Sequence, residues 1–275
     1  MKNLPMLLVL LLMFGQLVAC GGGGEQAGSG VAQPPVSTQP ADPGPGATPN
    51  QAVPDNRQLN PLQILLFGNS HSGSHDLPGT LQQLLQQGTG KSVSALRANG
   101  APYLDERLSD QISRPLLESD KWTHLILQAQ KYSTSGLFNY STEGAKTWIA
   151  LAKSRGVTPV LFPEHPRAGN LEEGMRIFRL HQQIAAEQAA CVAPVGPVWD
   201  QVVLQWPELT LHSADGNHAA PAGALLTAYI LYEVISGRPA DALPDLPTLA
   251  VPVSTQRILR QAASAGLKQY PACSY

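Results

Sequence analysis

The run Gln63-Ile64-Leu65-Leu66-Phe67 stops abruptly at Gly68-Asn69-Ser70. A short apolar stretch rich in branched residues reads as a buried strand, and the turn that follows leaves a hydroxyl at the strand's carboxyl end. In open α/β sheets that edge is where ligands and chemistry collect. A serine after a strand also serves simply as a helix cap. The second feature that gives Ser70 weight lies far downstream, in Asp215-Gly216-Asn217-His218, a D-x-x-H run just ahead of an apolar helical segment. Serine early, then aspartate and histidine close together near the end, is one of the chain orders that a hydrolytic triad takes.

The rest of the chain alternates strands and helices. After Ser70 a helix is expected over 77–87, capped by Asp76 and closed by Gly88, and then a strand over 93–98 ending at Asn99-Gly100. A polar helical region carrying Leu104, Leu108, Ile112 and Leu116 follows, then a strand over 124–130, a helix over 142–154 and a strand over 158–162. The Asn170 and Glu173 pair reads as a capping box for a helix reaching 190. A short fifth strand over 192–195, a helix opened by Pro197, an apolar helix from Pro221 to Ile235 and a last amphipathic helix over 254–267 complete the pattern. Such alternation with short connections points to an α/β fold of three α/β/α layers around a parallel, flavodoxin-like, five-stranded sheet. All the motif residues then fall on one rim of that sheet.

Residues 1–19 have the pattern of an export signal: Lys2 at a weakly basic start, an apolar core from Leu7 to Phe14, and small residues before Cys20. Leu17-Val18-Ala19-Cys20 resembles the bacterial lipobox, in which Cys20 becomes the lipidated first residue. The expected location is therefore exported, lipid-anchored to a bacterial membrane on its periplasmic or cell-surface face. Residues 20–57 are dominated by Gly, Pro, Ala, Gln, Ser and Thr and read as a tether, which as a flexible coil would span roughly 35 Å. The domain is expected over 58–275. Two further cysteines, Cys191 and Cys273, can pair as a disulfide in an oxidising compartment, or remain one buried thiol and one loose one. With a net charge of −2 and only 14% charged residues, the chain offers no basic surface, so nucleic acid is not an expected partner.

Serine is a weak nucleophile at neutral pH and needs a base within hydrogen-bond reach, which in turn needs an acceptor to fix its tautomer. His218 fits the first role and Asp215 the second. Donors for a developing oxyanion are the backbone N–H groups of Ser70 and Gly100 and the side-chain amide of Gln130. Asn69, His71, Asn99, Gln128, Glu164 and His165 are further candidates to line a pocket. Tyr132, Phe138, Tyr140 and Trp148 can supply an aromatic wall or ordinary core. His71 and His75, spaced H-x-x-x-H, suit a metal if the segment is helical, with Asp76 or His218 completing it, but Ser72-Gly73-Ser74 makes a poor helix interior. His181 reads as a solvated mid-helix side chain, and His212 lacks an acceptor at triad spacing. Neither metal nor cofactor is required by these motifs.

Gly68-Asn69-Ser70-His71-Ser72, Asn99-Gly100, Gln128-Ala129-Gln130 and Asp215-x-x-His218 together resemble, in order, the four blocks of the SGNH hydrolases, also called GDSL esterases or lipases. The resemblance spans about residues 62–237. It implies a serine esterase with Ser70 as nucleophile, and Gly100 and Gln130 in the oxyanion positions. Asn69 stands where the family usually has Asp, and Gln130 where it usually has Asn, so the chain resembles a divergent G-N-S, Q-x-Q branch. The expected activity is hydrolysis of a small acyl ester, with acetylated carbohydrate as the substrate. The alternatives left open are a lipoprotein that binds glycan or another ligand on the same scaffold, and a metal-dependent hydrolase.

Overall fold

A computed structural model describes residues 52–119 and 122–275. Five strands, β1 (Leu62–Phe67), β2 (Val93–Arg97), β3 (His124–Gln128), β4 (Thr158–Phe162) and β5 (Cys191–Val192), form one sheet in the order β2-β1-β3-β4-β5. Every neighbouring pair is parallel. Parallel strands need crossovers, and helices supply them: α1 (Ser70–Gly73) and α2 (Leu77–Thr89) between β1 and β2, α3 (Ser113–Ser119) before β3, α4 (Glu143–Ser154) before β4 and α5 (Leu171–Glu187) before β5; α6 (Val195–Gln205), α7 (Pro221–Ser236) and α8 (Val253–Gln269) follow the last strand.

Alternation along β1 sorts the core into two halves. Leu62, Ile64 and Leu66 face one side, with residues of α2, α6, α7 and α8, whereas Leu65 and Phe67 face the other, with residues of α3, α4 and α5. The sheet is thus covered on both faces, so β3 and β4 are buried at every position, whereas the edge strand β2 keeps only Val93 fully buried. Helix α7 packs against α2 and α8 and buries side chains around its whole circumference, Leu225, Leu226, Tyr229, Ile230 and Leu231 among them. Each such buried aliphatic side chain contributes about 1.5–3 kcal/mol. Pro221 starts α7, where its missing N–H costs nothing, and Gly237 ends it at φ +66°.

Several boundaries differ from expectation. Helix α2 runs through Gly88 to Thr89 and ends at Gly90, which caps it at φ +71°; Gly88 stays helical and is glycine because it lies against the Tyr232 ring of α7, where any side chain would overlap. The stretch expected to be helical around Leu104 to Leu116 breaks into a short 3-10 turn and α3, leaving Leu108 and Ile112 exposed. Asn170 does not form a capping box; Glu173 turns instead to Arg167 and accepts from its backbone N–H at 2.8 Å. The fifth strand is shorter and earlier, since α6 begins at Val195.

The domain also starts before residue 58. Val53 is buried, Pro54 accepts from the Thr158 hydroxyl, and the Asn56 amide donates to the carbonyls of Thr123 and Gly156 at 2.8 and 2.7 Å. Residues 52–57 are therefore docked on the amino-terminal edge of the sheet rather than part of a tether. The signal over 1–19, the lipidation site Cys20 and the tether up to residue 51 lie outside the described residues. Cys191 and Cys273 are joined by a disulfide that ties the carboxyl-terminal tail to β5.

Candidate active site

Ser70 sits at the start of α1, directly after β1, with Asn69 as the capping residue whose Oδ1 accepts from the His71 N–H at 3.0 Å. Because β1 lies between β2 and β3, this turn opens at the point where the strand order reverses. The D-x-x-H loop reaches it from the far end of the chain. Gly216 at φ +68° closes a tight turn, the Ser213 N–H donates to the His218 carbonyl, and the Ala168 N–H donates to the Gly216 carbonyl. The Ser70 Oγ then lies 2.8 Å from His218 Nε2, and His218 Nδ1 lies 2.6 Å from Asp215 Oδ2. The other Asp215 oxygen accepts the backbone N–H groups of Asn217 and His218, both at 2.9 Å. Hydrogen bonding from the His218 ring, then from these backbone groups, holds the Asp215 carboxyl well below the ordinary carboxylate range. An ionised Asp215 keeps the Nδ1 proton on its own side, so Nε2 is free to accept from the serine.

Beneath Ser70 the turn is clamped by two buried groups. Arg107, fully buried, donates to the carbonyls of Gly68 and Asn99 and to the Ser113 hydroxyl, joining the turn after β1 to the turn after β2. Gln128, at the end of β3, accepts the Asn69 N–H at 2.8 Å and donates to Glu164 Oε1 at 2.5 Å. Burial pushes the Glu164 carboxyl up to about 7, against the opposing hydrogen bonds of Gln128 and Asn69. The His71 ring stacks on that of His218 with centroids 4.9 Å apart, and its Nε2 is 3.8 Å from Glu164 Oε2. Burial holds His71 down to about 4 and His165 down to about 3, so both rings are neutral at physiological pH. His165 stacks on Trp199 at 4.0 Å and meets the Asn217 carbonyl through Nε2, bracing the loop that carries His218.

No family model matches the chain, and no curated protein does either. Solved structures do. A protein from Slackia heliotrinireducens assigned to the SGNH hydrolases is 24% identical and superposes with a TM-score of 0.51 over 63% of this chain and 98% of its own. The fold is that of the SGNH hydrolases. A DUF4886 family protein from Bacteroides uniformis is 15% identical, with a TM-score of 0.59 over 76% of this chain and 95% of its own. An acetylxylan esterase from Geobacillus stearothermophilus is 14% identical, with a TM-score of 0.48 over 63% and 92%. At such identities the likeness is one of fold.

Within the SGNH fold the sequence-predicted residues part company. Ser70, His218 and Asp215 meet. Gly100 lies in the turn after β2 at φ +130°, with Arg107 and Ser113 packed where a side chain would go. Gln130 does not supply an oxyanion donor here: its Nε2 donates to the carbonyls of Lys131 and Ser141, both at 2.9 Å, which uses both amide hydrogens. Ala129, at φ +76°, turns the chain just before it. Asn69, His71 and Glu164 line a cleft of about 360 Å³ together with Tyr103, Tyr132 and Tyr140. Gln128 is buried below that cleft, His165 is packed into the Trp199 stack, and Asn99 contributes its carbonyl to Arg107. Trp148 is core, its ring edge-on to Phe67 at 4.9 Å, and Phe138 lines a separate groove of about 700 Å³ between the loop after β3 and α5.

The histidines outside the triad find structural partners. His75 is in the left-handed region at φ 50° and its Nε2 meets the Ala219 carbonyl, which breaks the helical spacing that a H-x-x-x-H metal pair needs. His212 meets the Pro166 carbonyl. His181 is buried rather than solvated, its Nδ1 on the Ile177 carbonyl, and burial holds it down to about 4. Sequence reasoning missed Arg107, Tyr103 and Lys131. Gln128 left a legible signal, since a polar side chain inside a wholly buried strand must find hydrogen-bond partners.

Proposed function

We propose that this protein is a serine esterase of the SGNH type that hydrolyses small acyl esters. The observation that carries the reading is the continuous hydrogen-bonded chain from Ser70 Oγ through the His218 ring to Asp215. Ser70 attacks the ester carbonyl as its proton passes to His218 Nε2, and the ionised Asp215 stabilises the imidazolium that forms. The backbone N–H groups of Ser70 and Gly100 take the oxyanion, with no help from Gln130. Collapse of the tetrahedral intermediate expels the alcohol, protonated by His218, and leaves an acyl group on Ser70. Water, deprotonated by His218, then releases the acid.

Acetylated carbohydrate is the substrate class that the cleft suits: Tyr103, Tyr132 and Tyr140 line it with aromatic side chains, while Thr134 and Asn217 offer polar groups for hydroxyls. The working location is the outer side of a bacterial membrane, with Cys20 as the lipid anchor. The lipobox pattern supports that placement, and so does the Cys191–Cys273 disulfide, a bond characteristic of oxidising compartments.

The engagement of both Gln130 amide hydrogens favours a second reading, a ligand-binding protein on the same scaffold that performs no turnover. Turnover of p-nitrophenyl acetate separates the two. The esterase shows hydrolysis indifferent to chelator, a covalent phosphonate adduct on Ser70, and a loss on the order of 10³-fold or more in Ser70→Ala. Acetylated glycan bound without hydrolysis, and no adduct, would leave the binder.

A further inference from the structure

Glu164 lies at the base of the cleft and takes no part in the triad. It is buried, yet Gln128 at the end of β3 and two residues of the nucleophile turn, Asn69 and His71, are organised around it. Gln128 Nε2 donates to its Oε1, the Asn69 amide lies against the same carboxyl, and His71 Nε2 stands 3.8 Å from its Oε2. The Gln128 amide is a bridge, because its oxygen accepts the Asn69 N–H while its nitrogen donates to Glu164. Asn69 in turn uses Oδ1 on the His71 N–H, which leaves its NH₂ for the carboxyl.

We propose that Glu164 is a positioning residue that sets the Ser70 turn through Gln128 and Asn69, and that its presence is why both of those positions carry amides. This rests on the esterase reading and deepens it. An aspartate at 69 could accept from the His71 N–H just as well, but its second oxygen would face the Glu164 carboxyl where the asparagine presents hydrogens. Two carboxylates at that distance cannot both ionise without a penalty. The acidic group that the usual G-D-S turn carries on its own second residue is supplied here from the end of β4. Charged or titratable groups around this site are His71, His165, His218, Glu173 and Tyr132, together with two cations engaged elsewhere: Arg107 donates to the Gly68 and Asn99 carbonyls and the Ser113 hydroxyl, and Lys131 is paired with Asp105 and Glu106.

The test is a charge swap measured at pH 5.5 and pH 8.0 with p-nitrophenyl acetate, alongside thermal unfolding. Asn69→Asp alone is expected to lose on the order of tenfold in kcat relative to the parent at pH 8.0 and to match the parent at pH 5.5, where one proton is shared, each comparison being made at a single pH because His218 acts as base in both enzymes. Asn69→Asp with Glu164→Gln is expected to return to within about threefold of Glu164→Gln alone at both pH values. Glu164→Ala is expected to lose between about tenfold and 10²-fold in kcat with KM little changed, as a misplaced nucleophile does and a merely destabilised fold does not. An Asn69→Asp enzyme as active and as thermostable at pH 8.0 as the parent, or a double variant no better than Asn69→Asp, overturns the proposal. Ser70→Ala in the same assay keeps the two failures apart. Were it to retain turnover, the esterase reading would fall, while the pH-dependent coupling in Tm between positions 69 and 164 would still judge the carboxylate pair.

Discussion

Asp215 carries its charge at the surface, with about half of its side chain exposed, and is held ionised by hydrogen bonds rather than by burial. Its contribution is the orientation of one imidazole, so Asp215→Asn is expected to lower kcat on the order of 10³–10⁴-fold while binding at Ser70 of a small phosphonate merely slows. Asp200 is the opposite case. Burial, with Glu173 nearby, pushes its carboxyl up to about 7, and its Oδ1 has no hydrogen-bond partner. A raised acid favours the folded state below its unfolded pKa, near 4, and that contribution is lost as pH rises through about 7. Asp200→Asn should therefore leave Tm at pH 4 nearly unchanged and raise it by about 2–4 °C at pH 8, as followed by circular dichroism.

At the scale of elements, the site depends on where α7 begins. Gly223, in its first turn, lies against the Leu211 carbonyl and the Trp199 ring, so a methyl group there must push the helix away from the loop that holds His218. Gly223→Ala is expected to cost about 1–3 kcal/mol in denaturant unfolding and to lower kcat more than KM changes. Strand β4 and the cores of α2, α7 and α8 were legible because their apolar spacing matches their surroundings. The stretch from Leu104 to Leu116 misled because its leucine and isoleucine spacing suits a helix, while Arg107, drawn inward by the carbonyls of Gly68 and Asn99, and the Asp110 side chain, accepting the backbone N–H groups of Ala101, Ile112 and Ser113, break it. Gln130 misled for a related reason. Its place in the order of motifs is right for an oxyanion donor, but the left-handed turn at Ala129 points the chain toward Lys131 and Ser141.

On the scale of the whole molecule, the Cys191–Cys273 bond closes a loop over 82 residues that includes the D-x-x-H segment, α7 and α8. Restricting so long a loop in the unfolded chain stabilises the fold, so replacing both cysteines with alanine should lower unfolding free energy by about 2–5 kcal/mol in the absence of reductant, with kcat of the folded enzyme retained. Local patterning alone determined the strand and helix alternation, the parallel sheet and the turn that exposes Ser70, because those follow from hydrophobic period and turn chemistry within a few residues. Motif order further singled out Asp215 and His218. What only the tertiary structure decided was which groups share a hydrogen bond across the rim: Ser70 with His218, Gln128 with both Asn69 and Glu164, and Arg107 beneath two turns. Those pairings join residues far apart in the chain, and a buried donor takes whichever acceptor the packed helices bring within 3 Å or so, which no local pattern encodes.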